Sequence, residues 1–288
     1  MPADLDHRLT FLEASQNSDG GWGYFPGKQS WLEPTVYALL ALHQAEPDAP
    51  ACARAWKLLA SWQRPDGGWR PCATVDRSSW VTALAVLALA GRNDFGQPLR
   101  RGVSWLLQSE GVPLPWMTRL LARIQPLPIE MDHRLLGWPY FPGSTSWVEP
   151  TSLTMLALKK VRRQHASRML NRRVETGEKL LLDRRCSDGG WNYGNRRVLG
   201  QDMESFPEMT ALALIALQDR IGSVDVDGEP DVRLSALGRA WMGIASSLYG
   251  WKRREETPAA APQHDLMVSA LEALAISGGM PFRLEAHT

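Results

Sequence analysis

Four carboxyls share one landmark. Glu33, Glu149 and Glu208 each lie two residues before a threonine (Thr35, Thr151, Thr210) that opens an apolar run, and Asp265 lies two before Met267 at the head of a fifth run. Trp80 holds that place before Thr82. Aromatic side chains accompany the acids: Trp31, Trp147 and Phe206 each precede one by two residues, and the twin loops Tyr24-Phe25-Pro26-Gly27 and Tyr140-Phe141-Pro142-Gly143 lie just ahead of Glu33 and Glu149. Carboxyls gathered in one place raise the apparent pKa of one member, which then keeps its proton near neutrality. Aromatic faces attract cations. Together they suit protonation of a weak base such as an alkene and shelter for the resulting cation. A second reading competes. In WLEPT and WVEPT a proline at the first helical position would make Glu33 and Glu149 helix caps, and the helix dipole would keep them ionised. Likewise the two Tyr-Phe-Pro-Gly loops read either as walls of a cavity mouth or as turns whose rings cover the end of the domain.

The elements that must position these residues are repeats. Gly21 to Thr35, GWGYFPGKQSWLEPT, returns as Gly137 to Thr151, GWPYFPGSTSWVEPT, with 11 of 15 positions identical; such identity marks duplication and fixes architecture before local propensity does. A second repeat, Asp-Gly-Gly-Trp, occurs at 19–22, 66–69 and 188–191, each time after an amphipathic run. Glycine there takes the left-handed conformation that ends a helix, the aspartate bonds nearby backbone donors, and the tryptophan folds back as an anchor. Amphipathic runs suit an outer layer, and runs apolar all round, such as TVYALLAL and TALAVLAL, suit an inner one. The alternation predicts outer helices near 5–16, 51–63, 98–109, 172–185 and 231–246, and inner helices near 34–44, 79–90, 150–161, 208–218 and 265–276. The fold class is all-α, a single domain over 1–288, interrupted by an irregular insertion at about 110–135. Five pairs are visible, and that count leaves an open seam where a partner or a second copy could dock.

Within the insertion, PLPWMTRLLARIQPLP sets Trp116, Leu120, Leu121 and Ile124 opposite Arg119 and Arg123; it reads as a segment packed on its own domain, with a membrane surface as the alternative. The run 159–173 carries seven lysines and arginines and reads as a solvated face. Charge is balanced, with 32 basic and 31 acidic residues, so no global field draws nucleic acid. Cys52, Cys72 and Cys186 form no CxxC pair or disulfide framework, and no stretch approaches a membrane span or a signal peptide. A cytoplasmic location, with membrane association left open, is the expectation.

The pattern Phe11-Leu12-x3-Gln16-x3-Gly20-x-Trp22 resembles the QW motif of squalene-hopene and oxidosqualene cyclases. Arg54-Ala55-x3-Leu59-x3-Gln63-x3-Gly67-x-Trp69 resembles a second, and Arg101-Gly102-x2-Trp105-Leu106 a truncated third. The chain thus resembles the squalene/terpene cyclase and prenyltransferase-β superfamily. That resemblance implies an α/α toroid, an inner barrel of helices within an outer ring, with an apolar cavity for an isoprenoid. The cyclases of the superfamily carry an Asp-x-Asp-Asp-Thr-Ala motif whose middle aspartate donates the proton. No DxDD occurs here, and the resemblance places Glu33, Glu149, Glu208 and Asp265 at the middle aspartate's position, with Trp31, Trp80, Trp147, Tyr24, Tyr140, Phe25, Phe141 and Phe206 lining the substrate path. Prenyltransferase β chains hold zinc through an Asp-Gly-Cys turn; the turns here read Asp-Gly-Gly, and Asp183, Cys186 and His264 do not match the spacing. The expectation is no metal and no cofactor. Two functions stand ahead of a zinc prenyltransferase: a terpene-cyclase-like enzyme started by a carboxyl, or a non-catalytic toroid that binds an apolar ligand, a second copy or a partner subunit.

Overall fold

Each Trp of the repeated turns is pinned twice, and that pinning builds the architecture. A computed structural model describes residues 3–121, 124, 127–221, 234–251 and 264–285. Its helices are α1 (Ala3–Ala14), α2 (Leu32–Ala45), α3 (Pro50–Ser61), α4 (Thr82–Leu89), α5 (Gly96–Gln108), α6 (Trp116–Leu121), α7 (Val148–Val161), α8 (Arg168–Asp183), α9 (Pro207–Ala216), α10 (Ala236–Tyr249) and α11 (Leu266–Ile276). The indole N–H of Trp22 donates to the Leu12 carbonyl of α1 at 2.7 Å, that of Trp69 to Leu59 of α3 at 2.8 Å, and that of Trp191 to Leu181 of α8 at 2.6 Å. The same three tryptophans donate their backbone N–H to Thr35, Thr82 and Thr210 at 2.9 Å. The threonine that opens each inner helix therefore locks the turn that ends the preceding outer one. Trp138 repeats the scheme across the insertion: its indole reaches back 32 residues to Leu106 of α5, where the others reach back ten. The insertion is a loop let out between a helix and its own stop.

Glutamine and arginine tie the outer layer. Gln16 Nε2 donates to the carbonyls of Gly20 and Ala51, Gln63 Nε2 to those of Gly67 and Pro98, and Arg54 Nε donates to Gln16 at 2.8 Å. In the turns Asp19, Asp66 and Asp188 accept from the N–H two residues on. Gly20 and Gly67 have φ of 91° and 95°, and a Cβ on either would stand 2.7 or 2.8 Å from the Arg54 or Arg101 carbonyl; only glycine fits there.

The inner helices close a ring in the order α2, α4, α7, α9, α10, α11 and back to α2, with α1, α3, α5 and α8 outside. Two expectations change here. The helix expected near 231–246 as an outer element is α10, and it stands in the inner ring between α9 and α11; residues 231–233 lie outside the described residues. Ala240, Trp241, Ile244 and Ala245 of this helix are buried. Gly238 at its start lies against Pro207 and Glu208, and Tyr249 at its end donates to Leu214 of α9, so it runs parallel to α9. The open seam expected from five pairs is accordingly filled by α10.

The basic run is also not simply solvated. Lys159 is buried between Glu178 at 2.9 Å and Asp219 at 2.5 Å, Lys160 donates to the carbonyls of Pro281 and Arg283, and Arg173 donates to Glu110 and to the carbonyls of Ser109 and Leu136. A buried ammonium needs such partners. In the insertion, Trp116, Met117, Leu120, Leu121 and Ile124 are all exposed, Ile124 to 84%, so the apolar side of that segment does not pack on its own domain. The side chain of Arg119, and residue Arg123, lie outside what is described.

Candidate active site at the inner-helix starts

All the inner helices whose starts were singled out present them at one end of the ring, and a backbone ladder holds them in register. The residue two beyond each anchoring tryptophan accepts, through its carbonyl, the N–H at the start of a neighbouring inner helix: Pro71 from Leu32, Tyr140 from Trp80, Tyr193 from Val148 and Tyr24 from Leu266, at 2.8 to 3.0 Å. This places Tyr24, Tyr140 and Tyr193 on the rim above the helix starts.

Two equivalent pairs result from the duplication. The Tyr24 hydroxyl donates to Glu33 Oε2 at 2.7 Å, and the Tyr140 hydroxyl donates to Glu149 Oε2 at 2.5 Å. Burial, reinforced by the Glu149 charge and to a lesser degree by Asp265, pushes Glu33 up to about 7 against the lowering effect of the Tyr24 bond. Burial also raises Glu149, with Glu208 adding to it and the Tyr140 bond opposing. Both tyrosines are pushed well above the usual phenol range, by burial first and then by their glutamates. Glu33 thus feels the charges of Glu149 and Asp265, and Glu149 that of Glu208.

Aromatic rings frame the pairs. Tyr24 and Trp31 have centroids 5.9 Å apart, Tyr140 meets Trp80 edge-on at 5.8 Å and Trp147 at 6.3 Å, and Tyr193 meets Phe206 at 5.6 Å. Phe25 and Phe141 are exposed, with Arg77 stacked over Phe141.

The capping expectation is corrected in detail. The N-caps of α2 and α7 are Trp31 and Trp147, neither helix start carries a side-chain cap bond, and the prolines sit third in each helix rather than first. Glu33 and Glu149 belong instead to tyrosines. Asp265 is the residue that caps: its side chain accepts from Val268 N–H at 3.0 Å. It occupies the place of Trp31, since Leu266 and Leu32 make equivalent ladder bonds, and Met267 falls where α2 and α7 carry an acid. Glu208 is half-buried beside Gly238 of α10. Among the described residues no three His, Cys, Asp or Glu side chains converge as metal ligands, and no helix is long and apolar enough to cross a membrane.

Beneath the acids, residues that sequence reasoning passed over fill the ring. Tyr37, four residues below Glu33 on the same face of α2, meets Trp241 of α10 at 5.6 Å and Phe282 at 6.4 Å. Their only sequence signal was tryptophan and tyrosine inside apolar runs, which core packing explains equally well. A polar cleft of about 260 Å³, lined by Asp19, Lys28 and Ser30 among others, lies beside the first turn and includes none of the paired acids.

Comparison with known proteins follows from this geometry. No protein-family model matches the chain. It is 47% identical over 60 residues to drimenyl diphosphate synthase of Streptantibioticus cattleyicolor, which is 21% of this chain and 11% of that one. It is 38% identical over 104 residues to (+)-kolavenyl diphosphate synthase of Herpetosiphon aurantiacus, 33% of this chain and 19% of that one. The matched parts span only a tenth to a fifth of those relatives. Among solved structures, the endo-beta-1,4-glucanase CMCax of Acetobacter xylinum superposes with a TM-score of 0.60 at 14% identity, covering 98% of this chain and 99% of the glucanase. Candida albicans protein geranylgeranyltransferase-I gives 0.53 at 18% identity over 73% of this chain and 58% of that one. The type II terpene cyclase MstE from Scytonema gives 0.51 at 19% identity over 95% and 77%. At such identities the superpositions speak for the toroid alone.

Proposed function

We propose, for a chain of the terpene cyclase and prenyltransferase-like α/α toroid superfamily with partial homology to type II terpene cyclases, that the paired carboxyls start a cyclisation of an isoprenoid. The observation that carries this reading is the Tyr24–Glu33 and Tyr140–Glu149 pairs side by side under an aromatic rim, with Glu33 held at about 7. A carboxyl poised there keeps a proton at neutral pH. Glu33 gives that proton to a terminal alkene carbon, the alkene π electrons form the new C–H bond, and positive charge appears at the more substituted carbon. Trp31, Trp80 and Trp147 stabilise that charge through their faces. A second alkene closes the ring, and loss of a proton to the Glu149 carboxylate restores neutrality. Tyr24 and Tyr140 hold the two carboxyls in fixed orientation, the supporting role that a precise proton transfer needs. The relatives are synthases of prenyl-derived diphosphates by name, which favours a prenyl diphosphate as the substrate class.

The test is incubation of purified protein with farnesyl diphosphate, geranylgeranyl diphosphate and squalene, with products read by gas chromatography and mass spectrometry. A cyclised product is expected, and Glu33→Gln should lower its rate by about 10²-fold or more, the usual contribution of a general acid. Absence of any product from all three substrates would sink the enzymatic reading.

One observation favours a second reading, a non-catalytic toroid that docks an apolar ligand or a partner: the exposed apolar side of α6. Light scattering and native mass spectrometry distinguish it, since a strict monomer that retains no lipid contradicts it.

A further inference from the structure

The duplication builds two nearly identical Tyr–Glu pairs, so a difference between them carries information. Thr35 and Thr151 end the repeated stretch, and the next residue is Val36 in α2 but Ser152 in α7. Each lies three residues after its glutamate, one helical turn below it on an adjoining strip of the helix surface. Both are buried, Val36 fully and Ser152 to 1% exposure, yet the Ser152 hydroxyl has no hydrogen-bond partner. A buried hydroxyl left so costs free energy that the valine of the twin position does not. Because helix Cα–Cβ bonds tilt toward the N-terminus, Ser152 leans toward the turn that carries Glu149. Thr154, the other unpartnered hydroxyl of α7, stands on the opposite side of the helix from Ser152.

Lys159 shows which neighbour Ser152 faces. It lies seven residues on, on the same strip of α7, and it donates to the Ala216 carbonyl and to Asp219. That side of α7 therefore faces α9, whose first turn carries Glu208, the charge that adds to burial in raising Glu149. Ser152 thus lies one turn below the seam between these two acids. The other groups that feel Glu149 are Glu33, Tyr24, Tyr37, Tyr140 and Tyr193. Tyr140 donates to Glu149 as Tyr24 does to Glu33, Tyr37 sets its ring against Trp241 and Phe282, and Tyr193 sets its ring against Phe206.

We infer that Ser152 is a positioning residue that sets the two duplicated acids apart: its hydroxyl turns to donate to Glu149 when that carboxyl is ionised, and Val36 offers Glu33 no such donor. This role rests on the reading of the pairs as the start of a cyclisation. There Glu33 gives its proton to the alkene, and Glu149, with a second donor besides Tyr140, is the carboxylate that takes the proton released at the end. An acid and a base made from one repeated motif need environments that push them apart, and one hydroxyl in place of a methyl group supplies the difference.

Carboxyl carbon NMR of the full chain, titrated between pH 4 and pH 9, tests this without turnover, with the signals assigned through Glu33→Gln and Glu149→Gln. Ser152→Val copies the twin position, and Ser152→Ala serves if the larger side chain prevents folding, which circular dichroism checks. The acid dissociation constant of Glu149 should fall about tenfold in either variant, the effect of removing one hydrogen bond to a charged group, while Glu33 moves far less. Ser152→Thr, which keeps a hydroxyl, should restore it, and Val36→Ser should move Glu33 in the opposite direction. A folded Ser152→Val or Ser152→Ala in which Glu149 titrates as before, or in which Glu33 moves as far as Glu149, overturns the role of Ser152 and leaves the cyclisation reading standing. The expected shift in a protein that forms no cyclised product supports the effect of Ser152 on Glu149 and sinks the cyclisation reading alone.

Discussion

Glu33 is a half-buried carboxyl whose nearest hydrogen-bonding side chain is a phenol, and that choice of partner sets its behaviour. A cation would have held it ionised; Tyr24 only moderates the effect of burial and of Glu149. Its ionisation therefore opposes folding. With a folded value of about 7 against an ordinary 4.5, the folded state binds more protons than the unfolded one across that window, so stability is highest below it and falls as pH rises through it. Urea unfolding between pH 4 and pH 8 should show this loss, of about 2 kcal/mol for a carboxyl of this burial, and Glu33→Gln should flatten it. Tyr24→Phe removes the one bond that favours the ionised form, so the Glu33 titration, followed by carboxyl carbon NMR, should move further upward. These two residues were legible as candidates in the sequence because duplication repeats their nine-residue spacing. Their pairing was not, because only the folded loop brings the phenol over the helix start.

At the scale of the element, the Asp-Gly-Gly-Trp turn is a lock shared between an outer helix and the next inner one. Trp22→Phe keeps the ring and loses the bond to the Leu12 carbonyl, and it should cost about 2 kcal/mol in chemical denaturation; Trp69→Phe and Trp191→Phe should cost the same, since their bonds are equivalent. The glycines separate cleanly. Gly20→Ala meets the Arg54 carbonyl at 2.7 Å with φ of 91° and should cost about 3 kcal/mol. Gly189→Ala has nearly the same φ but faces only the flexible Arg185 guanidinium, so about 1 kcal/mol is expected. Helix positions were legible in the sequence because apolar period and turn chemistry agree at each of them. The layer of α10 was not: an amphipathic pattern records that one face is polar, and it does not record whether the buried face meets one neighbour or two.

For the whole molecule, closure of the ring is the event that assembles the site. Glu33, Glu149 and Glu208 lie on helices far apart in the chain, and they meet because α10 fills the gap between α9 and α11 and because Lys159 joins α7 to α8 and to the Asp219 end of α9. Lys159→Met leaves Asp219 without its ammonium and Glu178 with Arg220 alone. It should cost about 3 kcal/mol, read as a lowered urea midpoint, and Lys159→Arg should recover part of that loss.

The sequence alone determined the helical repeat, the turn chemistry that ends each outer helix and the placement of acids at inner-helix starts, because all three are set by local spacing and by one duplication. It could not decide which acids share a partner, that Asp265 serves as a cap while Met267 takes the acid's place, or that the apolar side of α6 stays exposed. Nor could it place Phe282 beneath Tyr37. Those outcomes depend on which distant segments arrive at the same end of the ring, and a pattern along the chain carries the period of each element but not the rotation and register in which the elements close.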